Sequence, residues 1–291
     1  MNSTTTAISD LAIGNRASLG SKFDRLRRAL TQYLAQGLVV AFSGGVDSAF
    51  LVWAAERELI TNGGRFLALT TSSDSLSSAE RVDVEKFVAM YNIPHIWCES
   101  KEFDDASYLT NDRSRCYHCK SELFRICGEV AAEHGLATIA YGFNASDVGD
   151  IRPGHRAAIE NGIVSPLADA GLTKNDIREL MRINDIPLVD KPASPCLSSR
   201  IVTGVSITSE KVRAVDKLET LLRERGLRVF RVRVHETNGA KFARLEVAPE
   251  EMELAFSLRE EFTAAAKDLG FRWVTLDLEG YKTGGGNLSG A

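Results

Sequence analysis

Apolar residues recur along this chain with two different periods, and the alternation between them sets the architecture. In residues 21–35, Phe23, Leu26, Leu30 and Leu34 fall three or four positions apart, which places them on one face of a helix. Residues 38–42 (LVVAF) are short, apolar and rich in β-branched side chains, the pattern of a strand buried on both faces. A Gly-rich hexapeptide follows, and residues 49–60 return to helical spacing. Further strands are expected at residues 66–71, 95–99 and 138–141, with helices between them at 78–91 and 116–134. Strands that alternate with helices form a parallel sheet covered by helices on both faces, an α/β fold. Another helix is expected up to about Asn184, capped by Thr173 with Asp176 three residues on.

The pattern changes after Arg200. Residues 208–225 read as a helix, 228–235 and 242–247 as strands, 249–269 as a helix and 272–278 as a strand, a small α+β unit of order αββαβ. The expected organisation is a loose Ser/Thr/Ala-rich tail over 1–20, an α/β domain over 21–203, the α+β domain over 204–281 and a flexible Gly-rich tail over 282–291.

Composition narrows the class. The 291 residues allow about two domains, and 44% apolar with 25% charged residues is ordinary for a globular protein. No apolar run reaches the length of about 18 residues that a membrane helix needs. A net charge of −4 disfavours nucleic-acid binding through overall charge. The N-terminal residues lack the basic and apolar regions of a secretory signal, so a cytoplasmic location with reduced cysteines is expected.

The first candidate site is Ser43-Gly44-Gly45-Val46-Asp47-Ser48, where a strand gives way to a helix. Its glycines let backbone N–H groups approach an anion, the helix N-terminus favours negative charge, and two serines add hydroxyls. The string is neither G-x-x-x-x-G-K-[ST] nor G-x-G-x-x-G. A second segment, Tyr141 to Asp147 with Gly142 and Asn144, follows a later strand and can equally be a plain turn.

Five cysteines are present, and two of them, Cys116 and Cys119, form R-C-Y-H-C-K. A structural zinc would want four ligands, and His118 lies between the two thiols where it cannot easily converge with them. The pair can be ordinary helix-start thiols or ligands. Cys196 follows Pro195 and precedes Ser198, Ser199 and Arg200, a polar loop beside a cation, where a thiol pKa falls. Cys98 and Cys127 fit the core. Along residues 228–235, Phe230, Val232 and Val234 share one strand face, and Arg231, Arg233 and His235 share the other. The second face suits a phosphate or carboxylate, or is simply solvated.

Taken in order, S-G-G-V-D-S, R-C-Y-H-C-K, P-C-L-S-S-R-I, R-V-R-V-H and T-L-D-L-E-G-Y resemble the LarE family of sulfur transferases, within the PP-loop ATP pyrophosphatases, over residues 21–285. The resemblance implies adenylation of a carboxylate of pyridinium-3,5-biscarboxylic acid mononucleotide and its conversion to a thiocarboxylate for a nickel-pincer nucleotide cofactor. It places pyrophosphate on Ser43, Gly44, Gly45, Val46, Asp47 and Ser48, with Gly142 and Asn144 near the nucleotide. It places the substrate phosphate on Ser199, Arg200, Arg231 and Arg233. The implied cofactors are ATP, Mg²⁺ and a 4Fe–4S cluster held by Cys116, Cys119 and Cys196. Sulfur would come from a sulfide on that cluster or sacrificially from Cys196, the catalytic cysteine. The implied partners are the nucleotide substrate, a sulfide donor, other enzymes of the cofactor pathway in transient contact, and further copies of the chain in a homo-oligomer.

Three other functions compete. A PP-loop tRNA thiolase would also use three cysteines, but the net charge and the lack of a zinc-finger-like RNA module oppose it. An amidotransferase-type adenylating enzyme would not need the three cysteines together. A regulatory nucleotide-binding module would keep the loop and do no chemistry.

Overall fold

The structure, a computed structural model, describes residues 3–149, 153–192 and 195–282, and of residues 3–17 the backbone alone. In chain order the elements are α1 (Ser3–Gln36), β1 (Leu38–Ala41), α2 (Val46–Asn62), β2 (Phe66–Ser72), α3 (Ser78–Tyr91), β3 (His95–Glu99), α4 (Ala106–Leu109), α5 (Arg115–Glu133) and β4 (Thr138–Tyr141). They continue with α6 (Pro153–Glu160), α7 (Pro166–Asp169), α8 (Lys174–Ile183), α9 (Ser209–Glu224), β5 (Phe230–Thr237), β6 (Ala240–Val247), α10 (Met252–Ser257), α11 (Arg259–Asp268) and β7 (Trp273–Leu276). Short 3-10 turns lie at Glu102–Asp104, Leu197–Arg200 and Pro249–Glu251.

The chain forms two compact units. Unit one is Met1–Thr71, Val84–Cys98 and Leu123–Lys191; unit two is Ser72–Asp83, Glu99–Glu122 and Pro192–Ala291. No single boundary near residue 203 separates them, because the segments after β2 and β3 belong with the C-terminal part of the chain. Segment 1–20, expected as a loose tail, is helical from Ser3 onward. It contains no proline, and a helix once nucleated extends at little cost. The expected Gly-rich tail lies outside the described residues apart from Lys282.

Unit one is built on a parallel sheet of order β3-β2-β1-β4. The central strand β1 runs parallel to both neighbours, with Leu38 opposite Phe66 on one side and Thr138 on the other. All four of its residues are buried, which is why its sequence is apolar without alternation. Leu26, Leu30 and Leu34 of α1, Phe50 of α2 and Met181 of α8 join the core beside it. Each such side chain contributes about 1.5–3 kcal/mol by leaving water.

Unit two carries a separate sheet of order β5-β6-β7, antiparallel between β5 and β6 and parallel between β6 and β7. Asn238 and Gly239 link β5 to β6 with φ of 51° and 73°, a two-residue turn whose twist suits a hairpin. Val212, Val215, Leu218 and Leu222 of α9 form its core with Val232 and Val234 of β5. The single helix expected at 249–269 is interrupted at Leu258, where α10 gives way to α11.

The cap expected at Thr173 is present: Thr173 Oγ1 accepts from Asp176 N at 3.2 Å, and Asp176 Oδ2 accepts from Thr173 N at 2.9 Å and from Lys22 Nζ at 2.7 Å. Burial pushes the Asp176 carboxyl up, but the bonds from Lys22 and Thr173 outweigh it and hold the group below the usual carboxylate range. A depressed folded-state pKa stabilises above the unfolded value of about 3.9 and is lost as pH falls through the folded value. Asp176→Ala is therefore expected to cost about 0.5–2 kcal/mol in urea unfolding near neutral pH. That difference should shrink by about pH 3; a pH-independent difference would contradict it.

Candidate active site

In unit one, β1 delivers the chain to the Gly-rich loop. Gly44 turns it with φ of 71°, and Gly45 precedes α2 without a side-chain cap. The first N–H groups of α2 are left without a capping side chain, and the helix dipole adds positive potential there. The loop braces itself: Ser48 Oγ donates to Gly45 O at 3.0 Å, lies 3.1 Å from Ser43 Oγ and accepts from Ser43 N at 3.3 Å.

Gly142, just beyond β4, presses on this loop. A Cβ there would lie 2.7 Å from Ser48 N and 3.1 Å from the Asp47 carbonyl carbon, so no larger residue fits. Asn144 is buried and accepts from Ser146 N at 2.8 Å, while Asp147 Oδ2 accepts from Asn144 N at 3.3 Å. The Gly142 segment is thus both a turn and a wall of the loop.

Two lysines complete the loop, and the sequence offered no sign of either. Lys174 Nζ lies 2.6 Å from Asp47 Oδ2, and Lys191 Nζ donates to Gly44 O at 3.0 Å. They supply from distant positions the positive charge that the loop itself lacks. Burial raises the Asp47 carboxyl even against Lys174. Its other oxygen, Oδ1, is buried with no hydrogen bond of ordinary geometry among the described residues, and Asn144 faces the carboxyl.

In unit two, Cys116 and Cys119 occupy the first turn of α5, one exposed and one half-buried. Cys196 leads into the turn Leu197–Arg200, which is pinned from several sides. Leu197 N donates to Ser75 O at 2.9 Å, Tyr108 Oη to Ser198 Oγ at 2.7 Å, Arg115 Nη1 to Ser198 O at 3.1 Å and Arg233 Nη1 to Ser199 O at 3.0 Å. Cys119 feels the charge of Cys116 and Cys196, and Cys196 that of Cys116.

The expectation of a lowered Cys196 thiol is corrected. Burial pushes it up, and Arg115 only partly opposes this. Arg200, its neighbour in sequence, turns instead onto Glu219 at 2.9 and 3.0 Å. Cys119 is raised by burial and then by Glu102, whose Oε2 accepts from its Sγ at 3.7 Å. Glu102 is itself buried and accepts from Ser73 at 2.7 Å, Ser75 at 2.5 Å and Ser100 at 2.8 Å. Cys127 is buried, as expected of a core thiol, whereas Cys98 is half-buried.

Among the described residues no group of three or more His, Cys, Asp or Glu converges to hold a single metal ion. Cys116, Cys119 and Cys196 are soft thiol donors, a pair at the start of α5 and one before the turn Leu197–Arg200.

The arginine strand is not a solvated face. Arg231 and Arg233 are buried, like Phe230, Val232 and Val234. Arg233 Nε lies 3.0 Å from Glu246 Oε2, and Arg200 and Glu219 form a second buried pair. Arg231 donates to Phe230 O at 2.6 Å and stacks over Tyr281 at 5.1 Å. Burial and then the nearby Arg200 push its pKa down.

No protein-family model matches the chain. An uncharacterized protein of Synechocystis sp. is 35% identical over 268 residues, 91% of this chain and 97% of the relative. A pyridinium-3,5-bisthiocarboxylic acid mononucleotide synthase of Lactiplantibacillus plantarum is 28% identical over 269 residues, 92% of this chain and 94% of the relative. An uncharacterized protein of Methanocaldococcus jannaschii is 26% identical over 246 residues, 84% of this chain and 91% of the relative. Among the described residues no helix is long and apolar enough to cross a membrane.

Gly142→Ala is expected to lower stability by about 1–3 kcal/mol, because the loop backbone must shift to admit a methyl group. Thermal unfolding at unchanged midpoint would refute the close contact. Glu219→Gln should cost about 3–5 kcal/mol by leaving Arg200 buried without its counter-charge, read by urea denaturation.

Proposed function

Because the chain belongs to the LarE family, we propose that it is an ATP-dependent sulfur transferase of nickel-pincer nucleotide biosynthesis, acting on pyridinium-3,5-biscarboxylic acid mononucleotide. A substrate carboxylate oxygen attacks the α-phosphorus of ATP, the α–β phosphoanhydride bond breaks, and pyrophosphate leaves with Mg²⁺. The loop from Ser43 to Ser48 receives that pyrophosphate. Its backbone N–H groups, with Lys174 and Lys191 beside them, offset the charge that develops as the bond breaks. Gly142 and Asn144 keep the loop in place. The carboxyl carbon now carries AMP as a leaving group, and a sulfur nucleophile displaces it to give the thiocarboxylate.

Cys116, Cys119 and Cys196 would hold the 4Fe–4S cluster. When bound, it supplies an iron not ligated by protein, on which a transferable sulfide can ride. Arg231 receives the phosphate of the substrate, while Arg200 and Arg233, each anchored by a carboxylate, hold the Ser199 segment in position.

The observation that carries this reading is the company of Cys196. Arg115, next to Cys116 at the start of α5, donates to Ser198 O at 3.1 Å, two residues beyond Cys196 and far from α5 in sequence, which supports a shared role for these thiols. An ammonia-using adenylating enzyme or a regulatory nucleotide module has no use for that gathering.

Protein purified without oxygen is expected to hold about four irons and matching acid-labile sulfide per chain, both lost in Cys116→Ala. Iron at background would sink the cluster, and an intact-mass loss of one H₂S at Cys196 after turnover would replace it with a sacrificial reaction. Lys174→Ala should slow substrate-dependent pyrophosphate release about tenfold or more. Arg231→Ala should raise KM for the mononucleotide by about tenfold while ATP-dependent thermal stabilisation survives; loss of both would point to misfolding.

A further inference from the structure

Arg115 is set apart from Arg200, Arg233 and Arg244 of unit two by the groups around it. Arg200 and Arg233 lie on Glu219 and Glu246, and Arg244 is shared by Glu246 and Asp277. Arg115 is half-buried at the start of α5 and pairs with no carboxylate among the described residues. Its Nη1 donates to Asn111 Oδ1 at 2.7 Å and to Ser198 O at 3.1 Å. Asn111 is buried and fixed in turn, donating to the carbonyls of Ile201, Val202 and Val205 at 3.2, 2.9 and 2.8 Å. The guanidinium is therefore held by one corner and cannot swing away.

Nε and Nη2 donate to no carboxylate or backbone oxygen among the described residues, and the side chain also faces the Cys116 thiol; that edge of the fork is the one that grips a planar carboxylate with two parallel bonds. Cys196 and Cys116 are the groups whose charge it feels most. Elsewhere around the thiols, Glu102 lies against Cys119, and Arg200, which donates to the Cys196 carbonyl at 3.2 Å, is already paired with Glu219. Lys120 acts on Cys119 rather than on Cys196.

We propose that Arg115 is a carboxylate-binding residue, which receives the reacting carboxylate of the substrate beside Cys196. The assignment of that carboxylate rests on the sulfur-transfer reading above; the capture of a small carboxylate at the thiols does not.

The test uses the full-length chain, reduced and free of iron. Cys196 is alkylated with iodoacetate, a carboxylate, or with iodoacetamide, its neutral analogue, and followed by peptide mass. Both reagents consume the thiolate and release iodide, so the ratio of their rates cancels the reactivity of the thiol itself. The iodoacetate-to-iodoacetamide ratio is expected to fall about fivefold or more in Arg115→Gln and to be largely kept in Arg115→Lys. Pyridine-3-carboxylate should protect Cys196 in the wild type and not in Arg115→Gln. Equal ratios in wild type and Arg115→Gln would overturn the proposal. If Arg115→Gln does not fold, the wild type decides alone: absence of protection by pyridine-3-carboxylate overturns it. Iron at background with the ratio effect intact would sink the cluster and leave Arg115 standing; a loaded cluster with equal ratios would do the reverse.

Discussion

Glu219 is the carboxylate on which the order of unit two depends. Its Oε1 accepts from Arg200 Nε at 2.9 Å and from Val232 N at 3.1 Å, and its Oε2 accepts from Arg200 Nη2 at 3.0 Å. One side chain of α9 thereby fixes the turn Leu197–Arg200 and the strand β5 together. A charge buried this way is costly unless it is paired and fully hydrogen-bonded, and here it is both. The position of Cys196 follows, because Arg200 also donates to its carbonyl at 3.2 Å. The thiol therefore sits on a backbone with little freedom, which suits a group that must meet other ligands or a reacting carbon in one geometry.

Unit one reaches its order by steric means. The loop is short and self-braced, and the absence of a side chain at Gly142 lets β4 close on it. The charges that an anion needs arrive from α8 and from the segment beyond it, through Lys174 and Lys191. Division of labour of this kind lets the loop remain a pure backbone cradle, with glycines and serines chosen for shape and distant residues chosen for charge.

Much of this was legible in the residues. The buried strand at Leu38–Ala41, the helix Ser78–Tyr91, the strands His95–Glu99 and Thr138–Tyr141 and the cap at Thr173 all carry local signals, either apolar runs or paired polar caps. The segment between β3 and α5 did not. It reads as a polar loop, yet Glu102, Tyr108 and Asn111 are buried in it. Their partners include Ser198, Ile201 and Val205, about ninety residues away, so nothing nearby in sequence marks them. Of the two readings that the alternation of the arginine strand leaves open, an anion-facing strand or a solvated one, burial removes the second. Glu246 on the adjacent strand satisfies Arg233 and makes that burial tolerable. Lys174 and Arg115 also act through tertiary contacts, which composition and periodicity do not record.

The interleaving of the two units has a consequence for how such a protein can be taken apart. The chain passes from one unit to the other after Thr71, Asp83, Cys98, Glu122 and Lys191. A fragment beginning at Pro192 would carry Cys196 and the arginines but leave behind Glu102, Arg115, Cys116 and Cys119. No contiguous excision isolates the thiol-bearing unit, and a circular permutation does not restore its order either. In modular terms, the half that carries Cys116, Cys119 and Cys196 is not an appended cassette: it is grafted through the connections that follow β2 and β3, and it can be inherited or exchanged only together with the α/β scaffold that supplies them.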